Sequence, residues 1–179
     1  IDTAIARQGR HAYRASADGP RLTRHAQQIV RPAKASPEAL QVSAWSRAEG
    51  VASHSGNTHD YAIYVDCLLA DGSYQFGQCA TFKAGTHDWE RAEHTITPRA
   101  PVVELRVYAM FRNHTGTAWF DDVSIRTGTG EELLENGDFE TLGRRDDIQF
   151  VRDNALTDPA GQYRVMITDN WGSDVRPTT

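Results

Sequence analysis

Tyr64 and Asp66 sit on one run of alternating residues, and Glu104, Arg106, Tyr108 and Arg112 on another. Ile63, Val65 and Cys67 hold the other parity of the first run, and Val103, Leu105 and Val107 that of the second. Such alternation puts the apolar set on one face of a strand and the aromatic and polar set on the other. If the two strands share a sheet, Tyr64, Asp66, Arg106 and Tyr108 line one surface. Flat aromatic rings flanked by planar polar side chains can stack on sugar rings and hydrogen-bond their hydroxyls, with apolar walls and a few placed polar groups. The plain alternative is a solvated sheet face carrying a Tyr–Arg stack and an Asp–Arg pair.

Other residues offer weaker chemistry. Asp121-Asp122 supplies the hard oxygen ligands that calcium takes. His54, His59, His87, His94 and His114 lack the tight spacing of a zinc site, and no His-Glu-x-x-His occurs. Carboxylates are plentiful, but none stands in a recognisable catalytic context, and there is no Gly-x-Ser-x-Gly elbow, phosphate loop or dinucleotide fingerprint. Cys67 and Cys79 flank a hairpin signal at Asp71-Gly72-Ser73. A two-residue turn leaves them one residue out of register. A longer turn or a bulge would align them for a disulfide, and the alternative is two ordinary thiols. Asn113-His114-Thr115 is an acceptor sequon.

These residues must be positioned by strands. Runs at Tyr13–Ser16, Gln41–Trp45, Tyr61–Leu69, Tyr74–Phe82, Trp89–Thr97, Val102–Phe111 and Thr117–Ile125 recur at short spacing between turn residues. That is the pattern of an all-β antiparallel sandwich. Leu22, Ala26, Ile29 and Val30 fit helical spacing, and Ser36-Pro37-Glu38 fits a helix start, but the surrounding pattern favours strands there too. The 179 residues suffice for one domain with some chain left over. With 39% apolar and 24% charged residues the chain is not wholly disordered, and no apolar run is long enough to span a membrane. A net charge of −5 with scattered arginines argues against nucleic acid as the main partner.

Four stretches carry a family likeness. Ala6–Tyr13, Val42–Val51, Gly85–Arg91 (Gly-Thr-His-Asp-Trp-Glu-Arg) and Gly116–Ile125 (Gly-Thr-Ala-Trp-Phe-Asp-Asp-Val-Ser-Ile) follow in order over roughly residues 1–127. Together they resemble the jelly-roll carbohydrate-binding modules appended to bacterial glycoside hydrolases and polysaccharide lyases. The resemblance implies a jelly roll, a polysaccharide or glycan partner and a secreted or cell-surface setting. It implies no chemistry by the module itself. It also implies a structural calcium held by Asp121 or Asp122, by Glu140 and by carbonyls around Arg10. Trp45 and Trp89 fall in motifs whose Trp is expected in the core, whereas Trp119 is expected to be partly exposed. The family's edge loops would instead bring Trp171, His54 or His59 to the ligand, and Trp171, in a polar tail, is the best single candidate for an exposed stacking ring.

The likeness has one displacement. Asn-Gly-Asp-Phe-Glu, which opens such modules, stands here at Asn136–Glu140, after the closing strand. Arg126–Gly130 reads as a linker, and residues 128–179, with a strand at Gln162–Ile167, do not make a domain alone. Either a second module starts near 133 or this segment folds back to cover an open edge. The missing initiator Met and the abrupt end fit a piece of a larger polypeptide, whose flanking domains or other fragments would be further partners. Two rivals to a glycan module remain at this level: a structural sandwich with no sugar affinity, and a fragment of a catalytic domain completed elsewhere.

Overall fold

The computed structural model describes residues 1–141, together with the backbone of three two-residue strands farther on. Eight strands make the body: β1 (Tyr13–Ala17), β2 (Thr23–Val30), β3 (Leu40–Ser53), β4 (Tyr61–Leu69), β5 (Tyr74–Thr81), β6 (Gly85–Ile96), β7 (Val102–Arg112) and β8 (His114–Thr127). The short strands are β9 (Ile148–Gln149), β10 (Met166–Ile167) and β11 (Gly172–Ser173). One sheet runs β1-β8-β3-β6 and the other β11-β2-β7-β4-β5, with antiparallel pairing throughout. This is the expected antiparallel sandwich: seven body strands fall on the alternating runs, and β2 falls on the stretch whose own spacing is helical.

Alternation builds the core. Ile63, Val65, Cys67, Leu105, Val107, Ala109 and Phe111 point inward from the five-stranded sheet and meet Val42, Ala44, Phe120 and Ile125 from the other. Burial of these side chains supplies the main stabilising term. The helical spacing at Leu22–Val30 is overridden, because β2 pairs along its whole length with β7, from Thr23↔Arg112 to Val30↔Leu105. Ser36 starts no helix. It bridges to Val102, and its hydroxyl accepts from the Glu38 amide at 3.2 Å.

The displaced motif folds back. β1 covers only the first half of β8, pairing with Gly116–Phe120. Residues 131–137 take the remaining edge: Leu133 N donates to Ile125 O and Val123 N to Gly137 O, both at 2.8 Å. At Gly137 any Cβ would overlap the Val123 carbonyl, so the close approach requires glycine. Leu134 and Phe139 enter the core, with Phe139 against Tyr13. The sandwich thus extends to about Glu140 rather than stopping at 127, and an open edge is covered.

The disulfide option is corrected. The hairpin turn is centred on Asp71, with Leu69 N donating to Ser73 O at 2.9 Å. That places Cys67 opposite Gln75, and a bulge beyond it places Cys79 opposite Tyr64. Cys67 is buried in the core, Cys79 lies on the outer face, and both are free thiols. Burial pushes Cys67 up to about 11 and Cys79 up to about 12, so neither is a reactive thiolate at neutral pH.

Candidate functional site

The antiparallel register of β4 and β7 sets Tyr64 directly opposite Tyr108 and Asp66 directly opposite Arg106. All four side chains are half-buried on the outer face of the five-stranded sheet. The two tyrosine rings meet edge to face at 6.0 Å. On the β2 side, Gln27 Nε2 donates to the Tyr108 hydroxyl at 3.5 Å, and the His25 ring edges against Tyr108 at 5.5 Å.

The polar contacts differ from the simple pairs that the sequence suggested. Arg106 does not pair with Asp66. Its Nε donates to Glu104 Oε1 at 3.0 Å and its guanidinium lies 5.7 Å over the Tyr74 ring. Asp66 Oδ1 accepts from the Gly77 amide at 3.1 Å, where the β5 bulge turns the backbone to φ +69°. Burial, and after it the nearby Asp66 charge, raises both Tyr64 and Tyr108. Both phenols therefore stay neutral and can donate a hydrogen bond.

Tyr74 and Phe76 were not among the sequence candidates. They stack parallel at 5.1 Å on edge strand β5, and Phe76 is 62% exposed. Their shared parity with each other was the available signal. At the far end of the face, Asp60 is buried and takes hydrogen bonds from Ser55, Arg112 and Asn113. The Asn113 carboxamide of the sequon is thus already engaged inside this network. Of the edge-loop histidines, His54 meets the Thr115 hydroxyl at 3.1 Å, and His59 is exposed in the turn Thr58–Asp60. Trp171 lies outside the described residues.

The tryptophans are redistributed. Trp45 and Trp89, expected in the core, are half-buried. Trp45 shares parity with Ser43 and Arg47 on the outer face of the four-stranded sheet, with the Arg7 guanidinium 3.9 Å over its ring. Trp119, expected partly exposed, is buried and donates through Nε1 to Asp2 at 2.8 Å.

The three expected calcium ligands gather at the loop around Gly9, but they face hydrogens. Asp121 is fully buried and accepts from the amides of Arg7 and Asp122, both at 2.8 Å. Glu140 Oε1 accepts from the amides of Arg10 and His11 at 2.7 and 2.8 Å, and a Cβ at Gly9 would overlap its carboxyl. Asp122 is held by Arg7. Calcium needs six to eight oxygens. Here amide N–H groups and a guanidinium occupy the carboxylates, and no cluster of three or more metal-ligating side chains forms among the described residues. This arrangement does not fit the ion.

No family model matches the chain. Among curated proteins it is 30% identical over 108 residues to "tRNA nuclease WapA" of Bacillus subtilis (strain 168). It is equally similar to "tRNA3(Ser)-specific nuclease WapA" of Bacillus spizizenii and "tRNA(Glu)-specific nuclease WapA" of Bacillus subtilis subsp. natto. The match takes 60% of this chain but only 4% of those proteins. Among solved structures, PbXyn10C CBM APO superposes with a TM-score of 0.51 at 16% identity, over 78% of this chain and 83% of that one. At that identity the likeness shows the fold alone, an antiparallel β-sandwich shared with that chain.

Proposed function

We propose that this chain is a non-catalytic glycan-binding module that places a larger secreted or cell-surface protein on polysaccharide. One observation carries the reading: the β4–β7 register brings Tyr64, Asp66, Arg106 and Tyr108 together on one outward face. Neutral phenols and an accessible aromatic flank give that face both stacking surface and hydrogen-bond donors. The module adds affinity by raising effective concentration and performs no chemistry itself. A glycoside hydrolase or polysaccharide lyase as parent gains no support from the curated relatives, whose names are those of nucleases. The match covers only 4% of those proteins, and a long chain of that kind is an equally suitable carrier for such a module.

The test is affinity electrophoresis through gels containing soluble polysaccharides, backed by a glycan array. The wild type should be retarded by at least one glycan. Tyr108→Ala should weaken that binding by about tenfold or more, the scale of one lost aromatic contact. Tyr108→Phe, which keeps the ring, should lose less. If the wild type binds no glycan, the structural-sandwich reading replaces this one.

A further inference from the structure

The charges of the five-stranded outer face are arranged in a way that selects among glycans. Among the described residues Arg31, Arg106 and Arg112 reach this face, and each already has a carboxylate. Arg31 and Arg106 share Glu104 at 2.7 and 3.0 Å, and Arg112 holds Asp60 at 2.7 Å. Both carboxylates are buried, so an anion that drew Arg112 away would strand Asp60, and one that drew away both Arg31 and Arg106 would strand Glu104, which is strongly unfavourable. Asp66 is different. It has no guanidinium partner among the described residues; its hydrogen bonds come from the Gly77 amide and the Tyr64 hydroxyl. Its negative charge stands between the tyrosine pair and the Tyr74–Phe76 stack. It repels an anion and accepts hydrogen bonds from neutral hydroxyls.

The face is also long. Register carries it from Gln27 on β2 through Tyr108 on β7 to Tyr64 on β4, and then to β5. Three strand spacings make about 14 Å. At the far end stands Phe76, a large apolar side chain left open to solvent and held rigid on Tyr74 by parallel stacking at 5.1 Å. The bulge at Gly77 interrupts the pairing between Gln75 and Gln78 just beside it. One sugar ring cannot reach both ends.

Resting on the reading of this face as a glycan site, we infer that it takes an extended, uncharged glycan laid across the strands from Gln27 to Phe76, and that it excludes acidic polysaccharides and nucleic acid. Asp66 sets the exclusion and Phe76 sets the length requirement.

The experiment is an array of uncharged and acidic glycans with an RNA arm, followed by calorimetry on short and long oligosaccharides of whichever glycan binds. Uncharged glycans should bind, while polygalacturonate and RNA should not. The longer oligosaccharide should bind about tenfold more tightly than the disaccharide. Phe76→Ala, at a 62% exposed position that tolerates truncation, should remove that advantage. Asp66→Asn should admit polygalacturonate, with melting temperature checked to confirm folding. Acidic glycan or RNA bound as tightly as an uncharged glycan would overturn the inference, as would an unchanged long-chain advantage in Phe76→Ala. In either case, binding still lost in Tyr108→Ala would leave the platform itself standing. A wild type that binds no glycan would sink both.

Discussion

The two outer faces of the sandwich differ in how closely guanidiniums cover their aromatic rings. On the four-stranded sheet Arg7 lies 3.9 Å over Trp45, and Arg14 and Arg47 flank Trp119 at 5.9 and 5.7 Å. That sheet also carries a groove of about 570 Å³ lined by Trp45, Arg91, Glu93, Ser124 and Glu132. Its polar groups largely satisfy each other, with Arg91 on Glu93 and Glu132 on Ser124 and Arg126. On the five-stranded sheet Glu104 and Asp60 hold Arg106 and Arg112 no nearer than 5.7 Å over Tyr74 and 6.0 Å over Tyr64, and among the described residues no guanidinium lies over Tyr108 or Phe76. A cation over a ring satisfies its π face internally. What separates an open aromatic face from a capped one is therefore where the carboxylates sit, since they decide where the guanidiniums go.

The largest way to break this contrast is at Asp60. Its side chain is 2% exposed and anchors Arg112, Asn113 and Ser55 at once. Asp60→Ala should strand the arginine and cost about 3–5 kcal/mol in urea unfolding. On the opposite face, Asp122→Ala removes a half-exposed partner of Arg7 and should cost at most about 1 kcal/mol. Equal losses at the two sites would mean that the faces do not differ in this way.

The same residue gives a pH signature. Burial pushes Asp60 up, but hydrogen bonds from Ser55, Asn113 and Arg112, with the Arg112 charge, outweigh it and leave the carboxyl below its ordinary value. A depressed carboxyl stabilises the fold above its unfolded pKa, and that stability is lost as pH falls through the folded pKa. Going from about pH 5 to about pH 3, the wild type should lose more stability than Asp60→Asn, which has no carboxyl to protonate. Parallel acid limbs in the two proteins would refute this.

Much of the binding face was readable in the sequence because strand parity is local. Ile63, Val65 and Cys67 point in, so Tyr64 and Asp66 must point out. The same parity, Val42 and Ala44 inward, would have placed Trp45 outward, but the family motif suggested a core position. Register across the β4–β5 hairpin was not readable, because the turn centre at Asp71 and the bulge at Gly77 decide it together. The sequence therefore left the cysteine pairing open and hid the Tyr74–Phe76 stack. The fold-back of Asn136–Glu140 depends on contacts over more than a hundred residues, from Glu140 to the Arg10 and His11 amides. No periodicity carries such information.

A smaller effect separates the tryptophan from the tyrosines. Trp45→Ala removes a ring stacked under Arg7 and should cost about 1 kcal/mol of stability. It should leave glycan affinity within about twofold, because its face is already occupied. If Trp45→Ala weakened binding as much as Tyr108→Ala, the ligand would reach the four-stranded sheet, and the assignment of faces would be reversed.

The smallest expected effect is the removal of divalent cations. The loop from Arg7 to His11 is closed by Asp121 and Glu140 through amide hydrogen bonds, and the neighbouring Asp122 takes its positive charge from Arg7. A bound calcium would add RT ln(1 + [L]/Kd) to stability, so a site filled at a hundred times its Kd is worth about 2.7 kcal/mol. That would be visible as a drop of several degrees in the melting temperature once chelator is added. The expected outcome with EDTA is no change, on either face of the sandwich and with or without glycan. A clear drop would show that the amide-held carboxylates rearrange around an ion, and that the arginine on Asp122 is not what neutralises this end of β8.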